Sequence, residues 1–170
     1  VATDDERIMR VVQGFGGEAV MTSSQHPTGS DRIAEVARGL EAEVVVNIQG
    51  DEPFVSPRML EEVVTPLFED PQLPMCTLMH PIPERSYADP SVVKVVTDLK
   101  GNALYFSRSL IPYPRVKQGH RAFEHIGIYA YRRDFLLTYT QLPPAPLERF
   151  ESLEQLRVLE NGYRLRVVVT

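Results

Sequence analysis

Hydrophobic positions along the chain switch between helical and strand spacing, and the switches predict its elements. Val44, Val45, Val46 and Ile48 form a short apolar run with almost no alternation, as in a strand buried on both faces of a helix-covered parallel sheet. Ahead of it, Val1 to Thr3 reads as the end of a strand. Asp4 or Asp5 then caps a helix whose apolar face is Ile8, Val11, Val12 and Phe15, and Gly16-Gly17 ends it. Ala19 to Thr22 is a short strand, and Ser23 to Arg32, polar and carrying Pro27 and Gly29, is a loop. Ser30 or Asp31 caps a second helix with Ile33, Val36, Ala37 and Leu40 inward. Strand, helix, strand, helix, strand at this spacing predicts right-handed crossovers and a mainly parallel α/β sheet with helices on both faces.

Ser56-Pro57 starts a helix that buries Leu60, Val63, Val64, Leu67 and Phe68, with a kink or early end expected at Pro66. After Pro74 the pattern becomes mixed. Met75 to Met79 is a strand, and Val92 to Thr97 and Ala103 to Ser107 flank a five-residue hairpin loop. Ile111 to Pro114 is extended and Arg115 to Arg121 is polar. Glu124 to Tyr131 is a strand, and Phe135, Leu136 and Tyr139 lie on a short helix. Leu142 to Pro146 is a stiff connector into a last helix over Leu147 to Glu160, ended by Gly162. The length, 170 residues, suits one domain with a substantial core.

Composition narrows the function classes. The net charge of −5 leaves no basic footprint and points away from nucleic acid. No apolar run approaches the roughly 20 residues that span a bilayer. The single cysteine, Cys76, has no internal partner and suits a reducing cytoplasm. Chemistry concentrates where the central apolar run stops: Gly50 allows a sharp turn, and Asp51 and Glu52 follow at the carboxyl end of a strand, the edge where open α/β sheets bind ligands. The pair reads either as a solvated turn or as a holder, through Asp51, of a hard divalent cation such as Mg²⁺.

Ordered motifs go further. Gln49-Gly50-Asp51-Glu52-Pro53 resembles the central motif of the cytidylyltransferases that activate 3-deoxy-manno-octulosonate (KDO), the CMP-KDO synthetases. In the same order as in that family stand His26-Pro27-Thr28-Gly29-Ser30-Asp31-Arg32, Val93-Lys94-Val95-Val96, Ala103 to Arg108, His125 to Tyr131, and Leu153-Glu154-Gln155-Leu156-Arg157. The resemblance implies a nucleotide-diphospho-sugar transferase fold and the reaction CTP + KDO → CMP-KDO + pyrophosphate, which serves lipopolysaccharide biosynthesis. It implies Asp51 as the catalytic Mg²⁺ ligand. Thr28, Gly29, Ser30 and Arg32 are implied on the cytosine end of CTP, and Gln49, Arg108, His125, Tyr129, Glu154 and Gln155 on the sugar. A homodimer is implied too, with Ile111 to Pro146 as its arm. Family members open with a strand and an Arg-, Gly- and Lys-rich phosphate loop and carry a late Asp motif; neither has a match here, so activity of residues 1–170 alone is expected to be nil or very weak. A cytidylyltransferase for another acidic sugar, such as a sialate, and a non-catalytic nucleotide-binding scaffold are the alternatives.

Overall fold

Caps and apolar spacing give, in chain order, β1 (Ala2–Thr3), α1 (Glu6–Gly14), β2 (Val20–Met21), α2 (Gly29–Ala37), β3 (Val44–Ile48), α3 (Pro57–Glu69), β4 (Met75–Ile82), β5 (Lys94–Thr97), β6 (Ala103–Ser107), β7 (Ala122–Arg132), α4 (Arg133–Tyr139), α5 (Pro146–Glu151), α6 (Leu156–Glu160) and β8 (Arg166–Val169). The structure, a computed structural model, describes residues 1–170. Six strands form one sheet in the order β6-β5-β7-β4-β8, with β3 also on β7; β1 and β2 pair apart, in parallel. Strands β3, β4, β5 and β8 point one way, and β7 and β6 run against them. The expected common direction therefore holds for most strands of this mixed sheet. Because the reversed β7 lies among them, every ladder on β7 is antiparallel, and β4–β8 is the parallel ladder within the large sheet.

Period-2 alternation sends the two faces of β4 and β7 into two cores. Cys76, Leu78, Ile128 and Ala130 meet Val63 and Leu67 of α3. Met75, Tyr129 and Tyr131 meet Ala34 of α2, Leu136 and Tyr139 of α4 and Leu156 of α6. Cys76 is buried, and burial pushes its thiol up to about 12. Each fully buried leucine contributes roughly 1.5–3 kcal/mol.

Several expectations change. β3 is paired on one side only, by β7, so it is not the doubly flanked centre of a parallel sheet; Val46 and Ile48 are 36% and 43% exposed. Thr28, not Ser30 or Asp31, caps α2, its hydroxyl oxygen accepting from the Asp31 N–H. α3 runs through Pro66 to Glu69. The ring sits in the last turn, and the Thr65 hydroxyl donates back to the Glu61 carbonyl at 2.7 Å beside the missing bond. The predicted last helix is two helices, α5 and α6, parted at Ser152, which sits in the left-handed region at φ 54. Of the segment expected as a dimer arm, Ile111 to Pro146, β7 and α4 belong to the sheet and its core, while residues 111–121 and 140–145 lie outside helix and strand, with Tyr113 82% exposed.

Three cations are spent on backbone carbonyls. Arg132 donates to Leu67, Asp70 and Leu73 at the end of α3, and Arg133 donates to Ala37 and Arg38 at the end of α2. Except for that of Leu73, which lies between α3 and β4, these are carbonyls that a helix terminus cannot satisfy itself. Lys94 has no exposed surface, and its Nζ donates to the carbonyls of Asp89, Val92 and Arg108 at 2.6–2.7 Å. Burial lowers its pKa, so the three carbonyls are what keep the ammonium tolerable there. Lys94→Met keeps the stem and strands three acceptors. Urea unfolding is expected to show a loss on the order of 3 kcal/mol; an unchanged midpoint would mean that water satisfies those carbonyls.

Candidate active site

The end of β3 turns at Gly50 and delivers Gln49 and Asp51 to the rim of a cavity of about 290 Å³. Its walls come from five other parts of the chain, β4 contributing Met75. Ser30 stands in the first turn of α2. His125 and Tyr129 share a face of β7, their ring centroids 5.3 Å apart. Tyr131 of β7 and Tyr139 of α4 stack behind them at 6.2 Å. Ser152 to Gln155, the link between α5 and α6, closes the remaining side.

One residue of the link, Glu154, is fixed twice from across the cavity. The Ser30 hydroxyl donates to the Glu154 carboxylate at 2.9 Å, and the Tyr139 hydroxyl donates to the Glu154 carbonyl at 3.0 Å. Burial raises the Glu154 pKa, partly countered by the Ser30 hydroxyl. Gln155 is 3% exposed, lines the cavity, and its Nε2 has no hydrogen-bond partner. A buried amide donor without an acceptor costs about 1–3 kcal/mol, so it suits a ligand oxygen. Burial also raises the pKa values of Tyr129, Tyr131 and Tyr139, which keeps all three phenols protonated donors.

His125 is the neutral member of the wall. Burial lowers its pKa to about 3. The Thr77 hydroxyl lies 2.8 Å from the Ile128 carbonyl and 3.1 Å from His125 Nε2. A carbonyl can only accept, so the hydroxyl donates there and its oxygen receives the Nε2–H. That tautomer leaves Nδ1 as the acceptor of the ring.

Seven of the predicted site residues thus converge on one cavity: Ser30, Gln49, Asp51, His125, Tyr129, Glu154 and Gln155. The other four stand outside its lining. Thr28 is occupied as the α2 cap. Gly29 abuts Gln49, whose Oε1 would lie 3.3 Å from any Cβ there. Arg32 pairs with Asp4 at 3.0 Å and donates to Thr22, tying α2 to the end of β1 and to the residue after β2. Arg108 lies behind the Ser152–Gln155 link, its guanidinium donating to the carbonyls of Pro90 and Glu151 at 3.0 and 2.8 Å.

Sequence reasoning passed over Tyr131 and Tyr139, because an aromatic in an apolar run reads as core; here they are core on one side and cavity wall on the other. It also passed over Glu151. That carboxylate accepts from the Ser107 hydroxyl at 2.6 Å and the Arg108 N–H at 3.0 Å. Burial works against its charge, but these donors outweigh it and hold the pKa below the usual carboxylate range. Its anchorage fixes where the link after α5 begins. For a divalent cation the lining offers the Asp51 carboxylate, the Glu154 carboxylate already held by Ser30, and neutral oxygens, and no group of three or more His, Cys, Asp or Glu is placed to hold a metal ion. That set fits Mg²⁺, which keeps several waters and takes one or two carboxylates beside substrate phosphates.

Known proteins with this sequence and shape agree with one another. The family model described as cytidylyltransferase matches residues 1–165. A 3-deoxy-manno-octulosonate cytidylyltransferase of Syntrophotalea carbinolica is 55% identical over 180 residues, covering all of this chain and 72% of that protein. Its namesake from Escherichia coli is 50% identical, over 98% of this chain and 68% of that protein. A solved structure of CMP:2-keto-3-deoxy-manno-octonic acid synthetase complexed with CTP superposes with a TM-score of 0.96 at 49% identity, over the whole of this chain and 70% of that one. Identity of this order along the full span, on a shared fold, means that the chain belongs to the cytidylyltransferase family, alongside the 3-deoxy-manno-octulosonate cytidylyltransferases.

Proposed function

We propose that the protein transfers the cytidylyl group of CTP to KDO, giving CMP-KDO and pyrophosphate, the activated sugar used in lipopolysaccharide biosynthesis. The observation that carries this reading is the meeting of Gln49 and Asp51, His125 and Tyr129, and Glu154 and Gln155 on one cavity, three stretches far apart in sequence. In the reaction the anomeric hydroxyl of the sugar attacks the α-phosphorus, its oxygen forms the new P–O bond, and the bond to pyrophosphate breaks. Such transfers ask the protein chiefly for alignment and charge stabilisation. The polar rim supplies alignment: the Gln155 amide donates to a sugar oxygen, His125 Nδ1 accepts from a sugar hydroxyl, and Tyr129 donates.

The twelve lining residues include two carboxylates, Asp51 and Glu154, and no lysine or arginine. Two anionic substrates need positive charge beside such a wall, which supports Mg²⁺ as cofactor with Asp51 as its protein ligand. The ion, when bound, supplies neutralisation of phosphate charge. Arg108 reaches the sugar's carboxylate by exchanging one backbone carbonyl for it, a swap its five donors permit. Thr28, Gly29, Ser30 and Arg32 are assigned to the cytosine end of CTP, where the start of α2 offers backbone donors. No helix is long and apolar enough to cross a membrane, and the buried, unpaired Cys76 supports a reducing, cytoplasmic setting. We assign a homodimer joined through residues 109–121, where Tyr113 and Val116 are exposed.

Pyrophosphate release from CTP plus KDO in the presence of Mg²⁺ tests the activity. Asp51→Asn is expected to slow it on the order of 10²-fold or more and to shift the Mg²⁺ titration; an unshifted titration would remove Asp51 as the ligand. Light scattering is expected to give twice the chain mass, and a mass of one chain would count against the dimer. His125, with a folded pKa near 3, binds a proton far more readily in the unfolded chain, where the value is about 6.5. Stability is therefore lost as pH falls below about 6.5, by roughly 1–2 kcal/mol at pH 5 from this residue, the loss completing near the folded pKa. His125→Gln should flatten that acid limb in urea melts. A His125 imidazole signal, assigned by its loss in His125→Gln, that titrates between pH 5 and 8 in the native NMR spectrum would refute the neutral assignment.

A further inference from the structure

Glu52 follows the proposed metal ligand directly but does not line the cavity. Its carboxylate turns instead to β7 and accepts the Gly127 N–H at 2.7 Å. The β3 ladder on β7 ends at Ile48 opposite Ile128, one residue short of Gly127. The Glu52 side chain therefore extends the pairing by one residue after the backbone of β3 has turned away. The approach is tight: a Cβ at position 127 would lie 2.9 Å from the Glu52 oxygen and 3.5 Å from Gln49 Cγ, so glycine is the residue that leaves room.

Gly127 is itself displaced from regular pairing. On the β4 side, Thr77 pairs with Tyr129 and the next residue, Leu78, pairs with Ile126, so Gly127 and Ile128 are extra to that ladder. The irregularity lies between His125 and Tyr129, the two β7 residues assigned to the sugar, both of which line the cavity with Asp51. Bulges of this kind re-aim side chains beside sites.

We propose that the Glu52–Gly127 contact is a latch that sets Asp51 against His125 and Tyr129, making Glu52 and Gly127 positioning residues for the transfer. The inference rests on the reading of Asp51 given above. A charged acceptor on a backbone N–H is among the stronger hydrogen bonds, and a displacement of about 1 Å at a reacting group can cost 10²-fold in rate. The turn from Gly50 to Pro53 has little else to hold it: Glu52 N–H donates to the Gln49 carbonyl within the turn itself.

The test compares Glu52→Ala, Glu52→Gln, Gly127→Ala and the Glu52→Ala/Gly127→Ala double variant in the protein, with Asp51→Asn alongside. Mn²⁺ binding in the presence of CTP, read from the free-ion resonance, and amide exchange over residues 49–53 are the readouts besides turnover. Glu52→Ala and Gly127→Ala are each expected to weaken Mn²⁺ binding about tenfold and to speed exchange of the turn, and the double variant should be no worse than the poorer single, because both break one contact. Glu52→Gln, which keeps an acceptor, should stay within about threefold of the parent. Unchanged exchange and Mn²⁺ binding in both singles, or losses that multiply in the double, would overturn the latch. Should Gly127→Ala not fold, the contrast between Glu52→Ala and Glu52→Gln decides it. If Asp51→Asn alone leaves Mn²⁺ binding intact, the metal reading falls, and the exchange data still accept or reject the latch.

Discussion

β7 is bordered by β4 along nearly its whole length on one side, while β5 and β3 divide the other side between them. The ladders with β3 and β5 are regular, but on the β4 side β7 carries two more residues than its partner. The surplus is taken up in mid-strand, where Gly127 and Ile128 lie outside the β4 ladder. The irregularity leaves carbonyls to satisfy, and the Thr77 hydroxyl reaches those of Ile126 and Ile128 as well as the His125 ring. One hydroxyl thus closes the defect and fixes the tautomer of the imidazole beside it. The arrangement explains why His125 tolerates burial: it is neutral, and one ring nitrogen is already satisfied.

Cations follow a different rule. Lys94, Arg132 and Arg133 all end on backbone carbonyls, and so does the guanidinium of Arg108. The first three hold together chain segments whose own acceptors would otherwise be buried unpaired, a role in which Lys and Arg supply donors rather than net charge. Arg108 differs because the carbonyls that it holds, those of Pro90 and Glu151, stand at the back of the cavity wall. The Lys94 ammonium is bonded to the Arg108 carbonyl at 2.6 Å, so its charge also sits behind that wall, out of contact with the lining. Positive charge is therefore stored around the site and kept off its surface, where carboxylates, phenols and amides are exposed.

How much of this was legible in the sequence follows from what apolar spacing encodes. It records burial, so the existence and type of most elements, the hairpin at residues 98–102 and the core face of α3 were readable, except that Phe68, expected inside, is 65% exposed. It does not record partners. The run at Val44 to Ile48 is as apolar as a central strand, yet one of its edges is unpaired here, and nothing in it says that its neighbour runs the other way. The site was readable where a local oddity broke the pattern, as at Gly50-Asp51-Glu52. It was unreadable where a site residue also serves the core, as with Tyr131 and Tyr139, or where a side chain's destination is a distant carbonyl, as with Arg108.

The break at Ser152 shows why a regular pattern misled at a functional position. Residues 147–160 carry apolar side chains at helical intervals, so a continuous helix is the natural reading. Along such a helix consecutive side chains point about 100° apart, and four neighbours cannot line one cavity. Ser152, Leu153, Glu154 and Gln155 do line one, because the backbone leaves the helix. A left-handed serine costs about 1–2 kcal/mol. On either side, fixed points offset that cost: Glu151 is bonded to the end of β6, and Arg157 is paired with Glu148 back across the break. The link is thus pinned at both ends and irregular between them, the combination that lets a short segment present successive polar groups to one ligand while the helices around it stay packed.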